Sequence, residues 1–159
     1  MPQLEVPITK NGLLQVQEEL DQLIKVEREA LKKIISDARD LGDLKENAEY
    51  HSAKEKQALM EGRIMQLQGI IANSRVIDIS TISSDSIVFG ATVSLNNTEN
   101  DTTLIYQIVG PSEANTRDGK ISYDSPLGRA LIGKEDGDAI VVKAPKGDLE
   151  YEILSFEFK

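Results

Sequence analysis

Residues 40–50, which we call the tip stretch, carry the carboxylates Asp43, Glu46 and Glu49, spaced three positions apart. Carboxylates held this close repel one another unless a cation joins them. Asp43 and Glu46 offer the oxygen donors that Mg²⁺ prefers, but Mg²⁺ takes six ligands and two exposed carboxylates bind it weakly. We therefore predict an incomplete magnesium site that a partner must complete.

The same residues also have a purely structural explanation. Asp43 and Glu46 fit the capping-box pattern, in which the cap side chain and the third helical residue satisfy each other's backbone donors. Acidic side chains in a first turn also suit the helix dipole. Both interpretations can hold together, because a cap uses only one of the two oxygens of each carboxylate.

Two segments with a helical repeat of apolar residues flank the tip stretch and must position it. Apolar or small residues recur at seven-residue intervals, and Glu27 interrupts one row. This period is typical of a coiled-coil seam. The rows are Leu13, Leu20, Ile34 and Leu41; Val16, Leu23 and Ala30; Ile24, Leu31 and Ala38; and, in the second segment, Tyr50, Ile64 and Ile71 with Ala53, Met60 and Leu67.

The short connection between these segments makes the two helices antiparallel neighbours. We predict a first helix over about 11–41 and a second that starts at Asp43 or Leu44 and ends near Asn73. A helix of about 30 residues is roughly 45 Å long. The tip stretch is therefore predicted to form the end of a rod.

After Asn73 the helical period gives way to β-branched residues and turn signals. Ser125 and Pro126 fit the cap and the first position of a short helix. Strands are predicted over 75–79, 87–95, 102–109, 121–123, 139–144 and 149–156. The predicted fold class is α+β: an N-terminal antiparallel coiled-coil helical hairpin in domain 1–78, then a small antiparallel β-sheet domain with one short helix in 79–159.

The composition excludes several classes of function. The formal net charge is −9, whereas proteins that grip nucleic acid through its phosphates are basic, so no tight binding to naked nucleic acid is expected. The chain has no cysteine, no signal peptide and no apolar run of membrane length, which predicts a cytoplasmic protein away from membranes. Because it has neither a nucleophile–base pair nor a glycine-rich phosphate loop, we expect no self-contained enzyme.

Five motifs in order resemble the bacterial transcript cleavage factors of the Gre family, GreA type. The similarity covers essentially the whole chain, and the motifs together are highly specific. They are Ala38–Glu55, Glu61–Ile64, Val88–Val93, Tyr106–Gly110 and Ser125–Lys134.

The resemblance implies a transcription elongation factor that binds bacterial RNA polymerase and inserts its coiled coil into the secondary channel. There Asp43 and Glu46 would help to hold an Mg²⁺ ion shared with the polymerase. The polymerase's own active centre would then cleave backtracked RNA and rescue arrested complexes. The factor would assist this reaction without being an enzyme itself.

The resemblance also implies contacts outside the acidic pair. The β-sheet domain, similar to the FKBP fold, would dock on the channel rim through Asp124, Ser125 and Pro126. Arg39 and Lys54 would form a basic patch that contacts the nascent RNA 3′ end. Lys54 stands where the family often has arginine; lysine keeps the charge but loses the planar, bidentate geometry. A monomer is expected.

Three alternatives stay open. A channel-binding inhibitor on the same scaffold would occupy the channel without promoting cleavage, although the intact Asp43 and Glu46 weigh against it. An isomerase or chaperone of the FKBP type would need an aromatic proline pocket, and three Phe, four Tyr and no Trp leave little for one. A purely structural coiled-coil adaptor would tolerate loss of the tip charge.

Overall fold

The structure, a computed structural model, describes residues 5–42 and 47–159. Its contacts divide the chain into two compact units: the hairpin unit, Leu13–Asn73, and the β-rich unit, made of the described residues of Met1–Gly12 with Ser74–Lys159. The N-terminal residues, which the predicted domain 1–78 groups with the hairpin, join the β-rich unit because strand β1 pairs in parallel with strand β2. These two strands are Val6–Thr9 and Ser74–Ile77.

Two helical arms form the hairpin unit. The elements are α1, Lys10–Gln22; a π-helical segment, Leu23–Glu27; α2, Arg28–Asp40; and α3, Ala48–Asn73. The first arm runs from α1 to α2, and α2 packs against α3 of the second arm. The predicted helical hairpin is confirmed. The predicted start of the second helix at Asp43 or Leu44 is corrected to Ala48, because Asn47 lies immediately before the helix and caps it.

The π-helical segment shifts the apolar seam of the first arm by one residue. Before it the seam runs through Val16, Leu20 and Leu23, and after it through Leu31, Ile35 and Ala38. A π-turn holds one more residue than an α-turn. The seam position equivalent to Leu23 is therefore Leu31, eight residues later, whereas an unbroken α-helix would place it seven residues later. Ile34 and Leu41, predicted for the seam, are therefore 54% and 72% exposed.

A five-stranded sheet of order β5-β4-β3-β7-β6 forms the β-rich unit. Its strands are β3, Thr92–Asn97; β4, Thr102–Val109; β5, Lys120–Ser122; β6, Ala139–Ala144; and β7, Gly147–Glu157. Neighbours pair antiparallel except β4 and β5, which run parallel. This departs from the predicted all-antiparallel sheet, because residues 110–119 carry the chain back along β4 through a turn and a 3₁₀ helix, Thr116–Asp118. The predicted strand 87–95 begins only at Thr92, since Gly90 adopts a φ of 91°.

One connected core fills the β-rich unit. Alternation along the strands turns Val93 and Leu95 of β3 and Ile153 of β7 inward. Helix α4, Pro126–Leu131, adds the fully buried Leu131 to the same core. The predicted α+β class is confirmed. In the part of the chain that the structure describes, no helix is long and apolar enough to span a membrane.

Candidate functional site

Asn47, which lies within the tip stretch, forms the N-cap of α3. Its carbonyl oxygen accepts the first helical hydrogen bond, from His51 N at 3.1 Å, and its Oδ1 accepts from Tyr50 N at 3.1 Å. Its Nδ2 donates to the carbonyl oxygen of Ala38 near the end of α2. Asparagine is a favoured cap because its short side chain satisfies a first-turn N–H group that has no helical partner.

Arg39 and Tyr50 form a second contact between the arms. The guanidinium carbon of Arg39 lies 5.9 Å from the centroid of the Tyr50 ring, within the range of a cation–π contact. Lys54 lies one turn beyond Tyr50 on the same face of α3, and its Nζ donates to Gln57 Oε1 at 2.9 Å. The two predicted basic residues are thus exposed near Tyr50, to which the sequence assigned no role.

Asp43 and Glu46, the predicted metal-binding carboxylates, lie outside the described residues, as does the capping box predicted for them. Their oxygen donors suit Mg²⁺ by chemical type. Within residues 5–42 and 47–159, no group of three or more histidine, aspartate and glutamate side chains could hold a metal ion. Glu49, the third acidic residue of the tip stretch, is exposed in the first turn of α3, where its charge suits the helix dipole.

Two bidentate arginine–glutamate pairs link the arms of the hairpin farther from the tip. Arg63 donates to both carboxylate oxygens of Glu19, at 2.8 and 2.9 Å, and Arg28 donates to both oxygens of Glu61, at 2.9 and 2.8 Å. The hydrogen bonds from the arginines lower the pKa of each glutamate. No motif in the sequence predicts either pair.

The loop before α4 holds the residues predicted to dock on a partner. Ser125 Oγ accepts from Gly128 N at 3.1 Å and donates to Ser122 O at 2.6 Å, and Pro126 occupies the first turn of α4. The predicted cap is therefore confirmed. Asp124 is exposed and accepts from Ser122 Oγ. A docking role for Asp124, Ser125 and Pro126 stays a prediction.

Glu113 is a buried carboxylate that the sequence analysis missed. It is 8% exposed and accepts hydrogen bonds from Thr9 N at 3.0 Å, from Thr9 Oγ1 and from Gly110 N at 3.1 Å. Burial of a carboxylate is tolerated only with such donors. Thr9 Oγ1 in turn accepts from Gly12 N at 3.0 Å, and a Cβ atom at Gly12 would overlap the Glu113 side chain. Glu113 therefore fastens β1 and the start of α1 to the turn after β4.

Two family models match nearly the whole chain. The model described as "Transcription elongation factor, N-terminal" matches residues 6–76, and "Transcription elongation factor, GreA/GreB, C-term" matches residues 82–158. The chain belongs to the GreA/GreB family of transcription elongation factors. The family expected from the sequence is thereby confirmed.

Close relatives within the GreA/GreB family match over almost their full length. Transcription elongation factor GreA of Anaeromyxobacter sp. (strain K) is 52% identical over 153 residues, which cover 96% of this chain and 92% of that protein. Transcription elongation factor GreA of Pseudomonas syringae pv. tomato is 49% identical over 152 residues, covering 95% of this chain and 96% of that protein.

In this member of the GreA/GreB family, the predicted site residues that the structure describes fall into two groups. Arg39 and Lys54 lie around Tyr50 in the hairpin unit. Asp124 and Ser125 lie before α4 in the β-rich unit. In the first group Tyr50 contacts Arg39 directly, and Asn47 caps the helix at Tyr50 N.

Proposed function

We propose that this chain is a transcript cleavage factor, which binds bacterial RNA polymerase and stimulates the polymerase's own Mg²⁺-dependent cleavage of backtracked RNA. The hairpin enters the secondary channel, and the tip stretch meets the active centre. The observation that supports this most is the closed end of the hairpin, where Asn47 joins α2 to α3 on either side of residues 43–46. Family membership supplies the setting in transcription elongation.

Asp43 and Glu46 lend carboxylate oxygens to a metal site that the polymerase completes. Held there by Asp43 and Glu46 together with the polymerase, Mg²⁺ would supply Lewis-acid stabilisation of the charge on the reacting phosphate oxygens. Two exposed carboxylates are too few to hold the ion alone. The factor therefore acts only inside the complex, which fits an accessory protein better than an enzyme.

Arg39 and Lys54 contact the 3′ end of the nascent RNA beside that site. The face of Arg39 rests on Tyr50, and its N–H groups form a fork suited to phosphate oxygens. The net charge of −9 disfavours binding to free nucleic acid. The polymerase must therefore present the RNA.

Asp124, Ser125 and Pro126 dock the β-rich unit on the rim of the channel. The hydrogen bonds of Ser125 at the start of α4 fix the shape of this loop. Asp124 and Pro126 are exposed and available to a partner. The factor acts as a monomer.

The decisive test is RNA cleavage in halted polymerase complexes that contain backtracked RNA. Asp43→Asn keeps the side-chain size but removes a charged ligand, so stimulated cleavage should fall about 10–100-fold or more while polymerase binding stays unchanged. Asp40→Asn, an exposed position beside the pair, is the matched control and should cleave like the parent. Equal cleavage by Asp43→Asn and the parent would contradict the metal role. A parent that binds polymerase without stimulating cleavage would favour the inhibitor.

A further inference from the structure

We propose that Asn47 is a positioning residue for the tip carboxylates, because it ties the end of α2 to the start of α3 on either side of residues 43–46. This inference rests on the proposed function, since it assigns Asn47 a part in the cleavage that Asp43 and Glu46 would assist. Asn47 itself touches no reacting group; it acts through the backbone that carries them.

Asn47 uses both ends of its side-chain amide, one for each arm of the hairpin. Its Oδ1 accepts from Tyr50 N at 3.1 Å, and its Nδ2 donates to Ala38 O. The carbonyl of Ala38 is among the last four of α2, which lack a partner within the helix, and it also accepts from Leu41 N at 3.3 Å. One side chain thus satisfies a first-turn donor of α3 and gives a last-turn acceptor of α2 a second hydrogen bond.

The neighbouring residues make a second link at the same level. Arg39, which follows Ala38, lies over the ring of Tyr50, whose N–H group Asn47 caps. Ala38 is 3% exposed, so the hydrogen bond from Asn47 forms at the end of the buried seam, where water competes less for the carbonyl. The two contacts together link the arms on either side of residues 43–46.

The hydrogen bond between Asn47 and Ala38 joins the two ends of the segment that carries Asp43 and Glu46. Asn47 and Ala38 are nine residues apart in the chain, and positions 43 and 46 lie between them. Groups that act at a reaction centre must be held within about 0.5 Å of their productive placement, and a displacement of about 1 Å can cost about 100-fold in rate. Loss of the bond to Ala38 should therefore slow cleavage while the rest of the hairpin stays folded.

Asparagine is needed at this position, because other good caps lack a donor of the same reach. Serine and aspartate accept from the first-turn N–H groups about as well as asparagine does. Aspartate carries no donor, and Asn47→Asp would place a carboxylate against the carbonyl of Ala38. Serine can donate through its hydroxyl, as Ser125 does, but that oxygen lies one bond nearer the backbone than the amide nitrogen of asparagine, so Asn47→Ser shortens the reach toward Ala38 O without adding charge near the metal site.

The experiment compares Asn47→Ser and Asn47→Asp with the parent in the full chain. Both variants should keep their helix content by circular dichroism and their affinity for polymerase, and both should cleave RNA in halted complexes about 10–100-fold more slowly. Unfolding of the hairpin would instead lower affinity and cleavage together. Cleavage at the parent rate by both variants would overturn the proposal.

Asn115→Asp provides a matched control in the β-rich unit. Asn115 also caps a helix with both ends of its amide: it accepts from Arg117 N at 3.1 Å and donates to Asp118 Oδ2 at 2.9 Å. Both of these partners lie within three residues of Asn115, so loss of these hydrogen bonds does not separate two segments that are distant in the chain. Unchanged cleavage by Asn115→Asp is expected; a loss as large as that of Asn47→Asp would overturn the assignment to the tip.

A measurement on the free protein separates this inference from the proposed function. Hydrogen exchange of the Asn47 side-chain amide, followed by NMR, should be slower than that of a solvated amide because Nδ2 is bonded to Ala38 O. Unprotected protons would overturn the inference whatever the parent does to RNA. Protected protons with an inactive parent would overturn the proposed function, and with it the role in cleavage, while the two-sided contact stands.

Discussion

The β-rich unit and the hairpin unit depend on different kinds of contact. Eleven buried residues form one connected core in the β-rich unit, whereas a cluster near the tip of the hairpin joins Leu31, Ile35 and Ala53. The arms of the hairpin are further linked by polar contacts, from Arg28 to Glu61 and from Asn47 to Ala38. Because the seam is narrow, most residues of the arms can be substituted without disturbing the packing between them. In the β-rich unit, one core depends on many residues at once. The same substitution should therefore have different consequences in the two units.

Truncation of a buried side chain should show the largest difference. Ile153→Ala empties a fully buried position in the large β-rich core, whereas Leu31→Ala acts in a small cluster at a position that is 8% exposed. Buried Ile or Leu to Ala costs about 2–5 kcal/mol, and we expect Ile153→Ala near the upper end of that range and Leu31→Ala near the lower end. Hydrogen exchange followed by mass spectrometry reports on each unit separately. Equal losses would remove the distinction between the two kinds of packing.

Replacement of glycine by alanine should have opposite signs in the two units. A Cβ atom at Gly12 would overlap the buried Glu113 side chain, whereas at Gly62, within α3, it would meet nothing within 4 Å. Gly12→Ala should cost about 1–3 kcal/mol through overpacking, and Gly62→Ala should add about 0.5–1 kcal/mol through helix propensity. Thermal denaturation of both variants beside the parent measures the contrast. A stabilised Gly12→Ala variant would show that Glu113 does not hold the N-terminal segment.

The smallest effect concerns a charged link of the hairpin and depends on pH. Hydrogen bonds from Arg63 lower the pKa of Glu19 from 4.5, so this pair adds stability above pH 4.5 and loses it as the pH falls through the folded-state pKa. Its side chains are 42% and 44% exposed, so solvent screening keeps the contribution below about 1 kcal/mol. Glu19→Gln should therefore be slightly less stable than the parent at pH 7. The difference should vanish in acid, as seen in urea denaturation at several pH values; a constant difference would exclude the ion pair as its source.

The hairpin shows how far a periodic pattern can predict structure. The rows of α3 and the rows before Leu23 predicted the buried positions correctly, because a seven-residue repeat reports directly on one helix face. The rows failed at Ala30, Ile34 and Leu41, since they assume an unbroken α-helix, whereas the row of Ile24 did mark the buried Leu31 and Ala38. Glu27, the interruption noticed in the sequence, is the last residue of the π-helical segment, but a single charge does not distinguish a π-turn from a polar seam position.

Contacts made by single side chains across the chain lay beyond prediction from this sequence. Glu113 bonds to Thr9, 104 residues away, and no periodicity marks either residue. Asn47 lies in the tip stretch, but its link to Ala38 depends on how the arms meet. Ser125 and Pro126 were predicted correctly as the start of a short helix, because a cap acts within a few residues. The sequence thus indicated local structure and the chemical types of the site residues. Contacts between residues that lie far apart in the chain follow only from the fold.

The extra residue between α1 and α2 also bears on the register of the whole arm. Each residue of an α-helix turns the chain by roughly 100° and advances it by only about 1.5 Å, so one more residue in a regular helix would turn the apolar side of α2 away from α3. The wider turn at Leu23–Glu27 takes up that residue. The arm can therefore gain or lose one residue there while Leu31 and Ile35 stay packed against Ala53.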